Sequence, residues 1–135
     1  MNTIGKQYGQ WLSGYNWSHI ATYRPHYKLN EFTTDKQMQR VFKRNEVNGL
    51  FYALERDRSL DGMKHAHIML LSDAKLTSDH LAEMIGANPK AIGYFQEVKN
   101  PAAISHYCTK NIRNHLSAYN LFTKTTTSYY ITDVK

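Results

Sequence analysis

The spacing of apolar and polar residues along this chain predicts four strands and two helices before any functional residue is considered. Trp17 to Arg24 (WSHIATYR) is rich in β-formers and is stopped by Pro25, which predicts a first strand. Thr33-Thr34-Asp35 offers a helix N-cap, and Met38, Val41 and Phe42 recur at helical spacing until Asn48-Gly49 ends the helix. Leu50 to Glu55 and His65 to Leu71 predict two strands, joined by a polar stretch whose Asp61-Gly62 is a hairpin cue. Thr77 or Ser78 can cap a second helix carrying Leu81, Met84 and Ile85, and Ala91 to Val98 predicts a fourth strand.

The order β-α-β-β-α-β predicts an α+β fold of the ferredoxin-like, split βαβ kind. In it, helices cover one face of a central antiparallel sheet and the other face is left available for a site. Asn100 as N-cap and Pro101 at the first helical position open a further, C-terminal helix running to about residue 114, and Tyr129 to Val134 predicts a short fifth, edge strand.

Composition narrows the class. A length of 135 residues predicts a single domain, 1–135, with one core and no room for a second catalytic module. The net charge of +6 comes from scattered lysines and arginines, without a polybasic tail, and favours an anionic partner such as nucleic acid. A lone cysteine, Cys108, excludes an internal disulfide and fits a reducing compartment. No stretch approaches the roughly 20 apolar residues of a membrane span or the apolar core of a signal peptide. The expectation is a cytoplasmic protein with no membrane partner.

The residues richest in chemistry are His65-Ala66-His67. On a strand, side chains two apart point to the same face about 7 Å from one another, so both imidazoles can hold one divalent ion. A third ligand then belongs on the neighbouring strand. A three-residue loop, Leu60 to Gly62, sets Asp57 opposite His65 and Glu55 opposite His67, whereas a two-residue turn at Asp61-Gly62 flips that parity. The apolar pattern favours the first register, because Leu50, Tyr52 and Leu54 then share a face with Ala66, Ile68 and Leu70. Glu55 is accordingly the expected third ligand. A His-His-Glu set leaves positions open for water and substrate oxygens, which suits Mg²⁺ or Mn²⁺ in phosphate chemistry better than structural zinc. The bland counterpart is a hydrogen-bonded histidine pair beside an ordinary surface glutamate.

A second cluster is Tyr107-Cys108-Thr109-Lys110, where the phenol and the ammonium share a helix face at i and i+3. Placed against a phosphate polarised by a metal ion, the phenol can attack phosphorus and become covalently joined to nucleic acid, with Lys110 neutralising charge. The ordinary alternative is a half-buried ring beside a solvated lysine.

HAH after a Glu-bearing strand, with YxxK downstream, resembles the HUH endonucleases, specifically the rolling-circle replication initiators (Rep proteins) of small plasmids and viruses. The resemblance spans nearly the whole chain. It implies a metal-dependent nickase and joinase for single-stranded origin DNA, with His65, His67 and Glu55 as metal ligands for Mn²⁺ or Mg²⁺. Tyr107 is then the catalytic nucleophile, giving a 5′-phosphotyrosine, and Lys110 the motif lysine. Relatives with two tyrosines repeat the YxxK motif, but Asn111 stands where the second would be, so a single-tyrosine enzyme is expected and a dimer or a second turnover completes the cycle. The first-strand motif is matched only loosely by Ile20 to Tyr23, and no GxxxxGK[ST] occurs, so the chain carries no helicase. A relaxase or single-strand transposase of the same superfamily, acting on hairpin ends, and a non-catalytic ferredoxin-like nucleic-acid binder using aromatics such as Phe51 are the competing readings.

Overall fold

The computed structural model describes residues 15–56, 64–99 and 119–124. They form an α+β fold: β1 (His19–Tyr23), α1 (Glu31–Phe42), β2 (Gly49–Arg56), β3 (Lys64–Leu71), α2 (Ser78–Ile85), a 3-10 turn (Pro89–Ala91), β4 (Ile92–Glu97) and β5 (Tyr119–Thr123). The strands make one antiparallel sheet in the order β4-β1-β3-β2-β5. Among the described residues no helix is long and apolar enough to cross a membrane.

Both helix caps follow from side chains that satisfy first-turn amides. α1 starts earlier than the Thr33-Thr34-Asp35 expectation, because Asn30 in extended conformation accepts from the Thr33 amide at 2.8 Å. Thr34 is thereby freed for the core and Asp35 for a tertiary contact. α1 also ends before Asn48-Gly49. Val47 is buried, and the Asn48 amide already donates to the Leu71 carbonyl at 2.7 Å, so the chain has joined the sheet by that point. Thr77 caps α2 through the His80 amide, and Gly86 closes it in the left-handed region at φ 84°, a conformation that favours glycine.

The alternation of each strand divides the sheet cleanly. Leu50, Tyr52, Ala66, Ile68, Leu70, Ala21 and Tyr23 pack under the helices with Met38, Val41, Leu81, Met84 and Ile85. The opposite face, expected to be open, carries a second buried cluster in which Ile20, Phe51, Ala53, Met69 and Leu71 pack with Tyr15 and Trp17. The physical cause is apolar residues at both parities, as in Ile68-Met69-Leu70-Leu71, which is the signature of a strand buried on two sides. Phe51 is fully buried and cannot serve as a stacking platform.

The fifth strand is Tyr119–Thr123 at the β2 edge, with Ala53 opposite Tyr119 and Leu50 opposite Phe122. Tyr129 to Val134 and the helix from Asn100 lie outside the described residues. β5 is tied to the helix layer at Asp35, whose carboxylate accepts from the Tyr52 hydroxyl at 2.6 Å, the Asn120 amide at 3.0 Å and the Gln39 amide at 2.7 Å. Burial pushes the Asp35 carboxyl up, but the hydrogen bonds from Tyr52, Asn120 and Gln39 outweigh it and hold the group below its ordinary value. A depressed folded-state value means stability that is present above the unfolded carboxyl range and lost as pH falls through the folded value. Asp35→Ala is therefore expected to cost about 1–3 kcal/mol at neutral pH, since it strands the buried Tyr52 hydroxyl. Urea unfolding of both proteins between neutrality and strongly acid pH checks this, and the gap between them should narrow on acidification.

Candidate metal centre

The site is built where the C-terminal end of β2 meets the N-terminal end of β3. Glu55 pairs with His65 and Ala53 with His67, so the register differs by two residues from the one expected from the turn, which set Glu55 against His67 and Asp57 against His65. The ladder keeps this register along its whole length. At its far end Gly49 faces Leu71, and the Asn48 amide donates to the Leu71 carbonyl at 2.7 Å. A shift of two leaves the parity of every side chain unchanged, so Glu55 still projects on the histidine face.

The three side chains converge. Glu55 Oε2 lies 3.1 Å from His67 Nε2, and Glu55 Oε1 lies 3.8 Å from His65 Nε2. The two imidazole rings meet edge to face, with centroids 4.9 Å apart and planes at 80°. Both histidines are buried, at 7% and 6% exposure, while Glu55 is half-buried. One ligand atom from each residue lies within 4.8 Å of the others.

These three side chains could together hold a metal ion. An ion about 2.1 Å from each donor sets two donors about 3.0 Å apart at right angles and at most about 4.2 Å apart in line, so donors spread over 4.8 Å must draw in to bind one ion. Two borderline imidazole nitrogens with one hard carboxylate oxygen do not by themselves select among Mn²⁺, Mg²⁺ and Zn²⁺, and three protein ligands leave positions for exogenous oxygens. The imidazoles sit on a strand locked on both sides in the middle of the sheet, so their directions are preset by the pleat rather than by a loop.

The same face extends sideways from the site. Thr22 on β1 is opposite His67, and Tyr94 on β4 is opposite Thr22, giving a row Tyr94-Thr22-His67-Ala53-Tyr119 across the sheet. Sequence reasoning offers Tyr94 or a C-terminal tyrosine as the nucleophile next in line after Tyr107, but does not place Thr22 and Tyr94 in the histidine row. Alternation places each on a face, but only the non-local β1–β3 and β1–β4 registers bring them into the histidine row. Arg24, Lys28 and Lys99 are exposed cations. Tyr107 and Lys110, together with Arg58 and Arg113, lie outside the described residues. The structure thus brings together His65, His67 and Glu55, three of the five side chains expected at the site.

No protein-family model, curated protein or solved structure matches the chain.

Proposed function

We propose that this protein is a metal-dependent endonuclease of the HUH type that nicks and rejoins single-stranded DNA and starts rolling-circle replication of a plasmid or virus. The observation that carries the reading is the convergence of His65, His67 and Glu55 on one face of the sheet. The strand order β4-β1-β3-β2, with both helices packed on one face, is compatible with the ferredoxin-like arrangement, and β5 extends it beside β2.

His65, His67 and Glu55 hold Mn²⁺ or Mg²⁺ in this reading, and the ion supplies Lewis-acid polarisation of a phosphate oxygen. The phenol of Tyr107, which gives up its proton, attacks phosphorus. A P–O bond to tyrosine forms as the bond to the 3′-oxygen breaks, and that oxygen takes up a proton. Lys110 offsets charge on the phosphate or steadies the phenolate. The 5′-phosphotyrosine keeps the energy of the broken ester, so the free 3′-hydroxyl primes synthesis and later reverses the step without ATP. With a single tyrosine in the motif, a second subunit or another turnover closes the cycle.

The full chain incubated with a random-sequence pool of single-stranded DNA and Mn²⁺ should yield a protein–DNA adduct that survives boiling in detergent, and a chelator should prevent it. Sequencing the trapped DNA maps the nick site. Complete absence of adduct in Mn²⁺ and in Mg²⁺ sinks the reading. The binder alternative loses its main support with the burial of Phe51.

A further inference from the structure

Ser18 precedes β1 and His19 opens it, at the end of the sheet away from the metal centre, where β3 and β4 finish. His19 is 3% exposed, with Leu70 opposite it on β3 and Glu97 opposite it on β4, and its ring centroid lies 5.6 Å from that of Phe95. The loop between β3 and α2 is fastened to this pair at two points. The Ser72 amide donates to Ser18 Oγ at 2.9 Å, and the Leu76 amide donates to His19 Nε2 over a long 3.4 Å. Asp73, Ala74 and Lys75, between the two fastenings, line a cavity of about 520 Å³ together with His19 and Glu97.

The polar roles around His19 follow one from another. The Leu70 carbonyl can only accept, so the Ser18 hydroxyl, 3.0 Å away, gives its single proton there. His19 Nδ1, 2.8 Å from the same hydroxyl oxygen, must then be the donor of the bond between them. A neutral imidazole with its proton on Nδ1 has a bare Nε2, which is the acceptor that the Leu76 amide requires. The Ser18 and Leu76 contacts thus agree on one neutral tautomer. A second proton can sit only on Nε2, where it would face the Leu76 N–H and turn an acceptor into a donor. Burial disfavours that charge and holds the imidazole below its ordinary value, while the Glu97 carboxylate on β4 pulls the other way. Asp73 and Lys75, of opposite sign, are the other charged groups on the cavity wall among the described residues.

We infer that neutral His19 is a latch on the loop between β3 and α2, and that uptake of one proton at Nε2 releases it. The bond from Nδ1–H to Ser18 is the same in both forms, so Ser72 stays fastened and only the Leu76 end of the loop comes free. A histidine held below its ordinary value favours the closed loop while it is neutral. That preference is lost as pH falls from the ordinary value, about 6.5, through the folded one. The device is independent of the metal centre and of the function proposed above.

The test is amide hydrogen exchange of the full chain, followed residue by residue by NMR and corrected for its intrinsic pH dependence, together with the imidazole ¹⁵N shifts of His19. The shifts should show the Nδ1–H tautomer at neutral pH. Below about pH 6.5 the protection of the Leu76 amide should fall by up to about tenfold per pH unit, while that of the Ser72 amide holds. His19→Gln, whose amide oxygen can accept from Leu76 and does not titrate, should keep Leu76 protected through the same range. His19→Phe should leave Leu76 weakly protected at every pH. Protection at Leu76 that varies with pH in the wild type no more than in His19→Gln overturns the latch, because titration of His65, His67 or any carboxylate would act equally in both. An Nε2–H tautomer overturns it as well, and so does a fall at Ser72 equal to that at Leu76; neither of these two readings needs a variant.

Discussion

His67→Ala is expected to lower Mn²⁺-dependent cleavage of single-stranded DNA by about 100-fold or more, since even outer groups that only orient a metal's ligands are worth about 10- to 100-fold. His67 supplies the nitrogen closest to Glu55, at 3.1 Å, from the centre of a strand paired on both sides. Its loss leaves a carboxylate and one imidazole, too few donors to fix an ion against competing water. Because His67 is buried, alanine also opens a small void, so His67→Asn, which keeps more of the volume, separates the two effects. Both variants should lose cleavage, while urea unfolding in chelator should report a smaller stability loss for the asparagine. Quantified gel assays against Mn²⁺ concentration check this. Cleavage unchanged, with the same metal requirement, would remove His67 from the ligand set.

Tyr107→Phe should eliminate the covalent adduct entirely while leaving single-stranded DNA binding intact. The substitution deletes one oxygen and keeps the ring, so packing is nearly conserved, yet no atom remains to form the phosphate ester. Anisotropy and adduct assays on the same preparation make the comparison. An adduct that persists would move the nucleophile elsewhere, and Tyr94 is then the first candidate, being exposed and in the same cross-sheet row as His67.

What could be read from the chain divides along a physical line. The face shared by Glu55, His65 and His67 was legible because alternation has a period of two and survives any even shift of register. The pairing itself was not, because a register is a property of the whole ladder from Gly49 opposite Leu71 to Arg56 opposite Lys64, which no local turn rule contains. β5 was illegible for a similar reason. Its helix-side positions are Asn120 and Phe122, and Asn120 belongs there only because Asp35, distant in sequence, accepts its hydrogen bond. The covered second face was visible in principle in the unbroken apolar run Ile68 to Leu71, which argues against one wet side. Asn30 as the cap of α1 needed only the recognition that an asparagine three residues upstream competes with Thr33.

The second covered face also bears on where the proposed DNA substrate would run. A DNA strand laid across the middle of that face would meet buried Phe51 and Met69, whereas Glu55, His65 and His67 lie at the sheet end where β1 and β2 finish and β3 and β4 start. In the proposed reaction the scissile phosphate would therefore reach Glu55, His65 and His67 from the end of the strands.

The central claim is that these three residues form one cation site, and a Mn²⁺ titration followed by electron paramagnetic resonance tests it most directly, because free and protein-bound ion give different signals. The account predicts one equivalent of bound Mn²⁺ per chain, lost in Glu55→Gln and in His67→Asn while both variants remain folded. A wild-type chain that binds no Mn²⁺, or variants that bind Mn²⁺ as the wild type does, would contradict it.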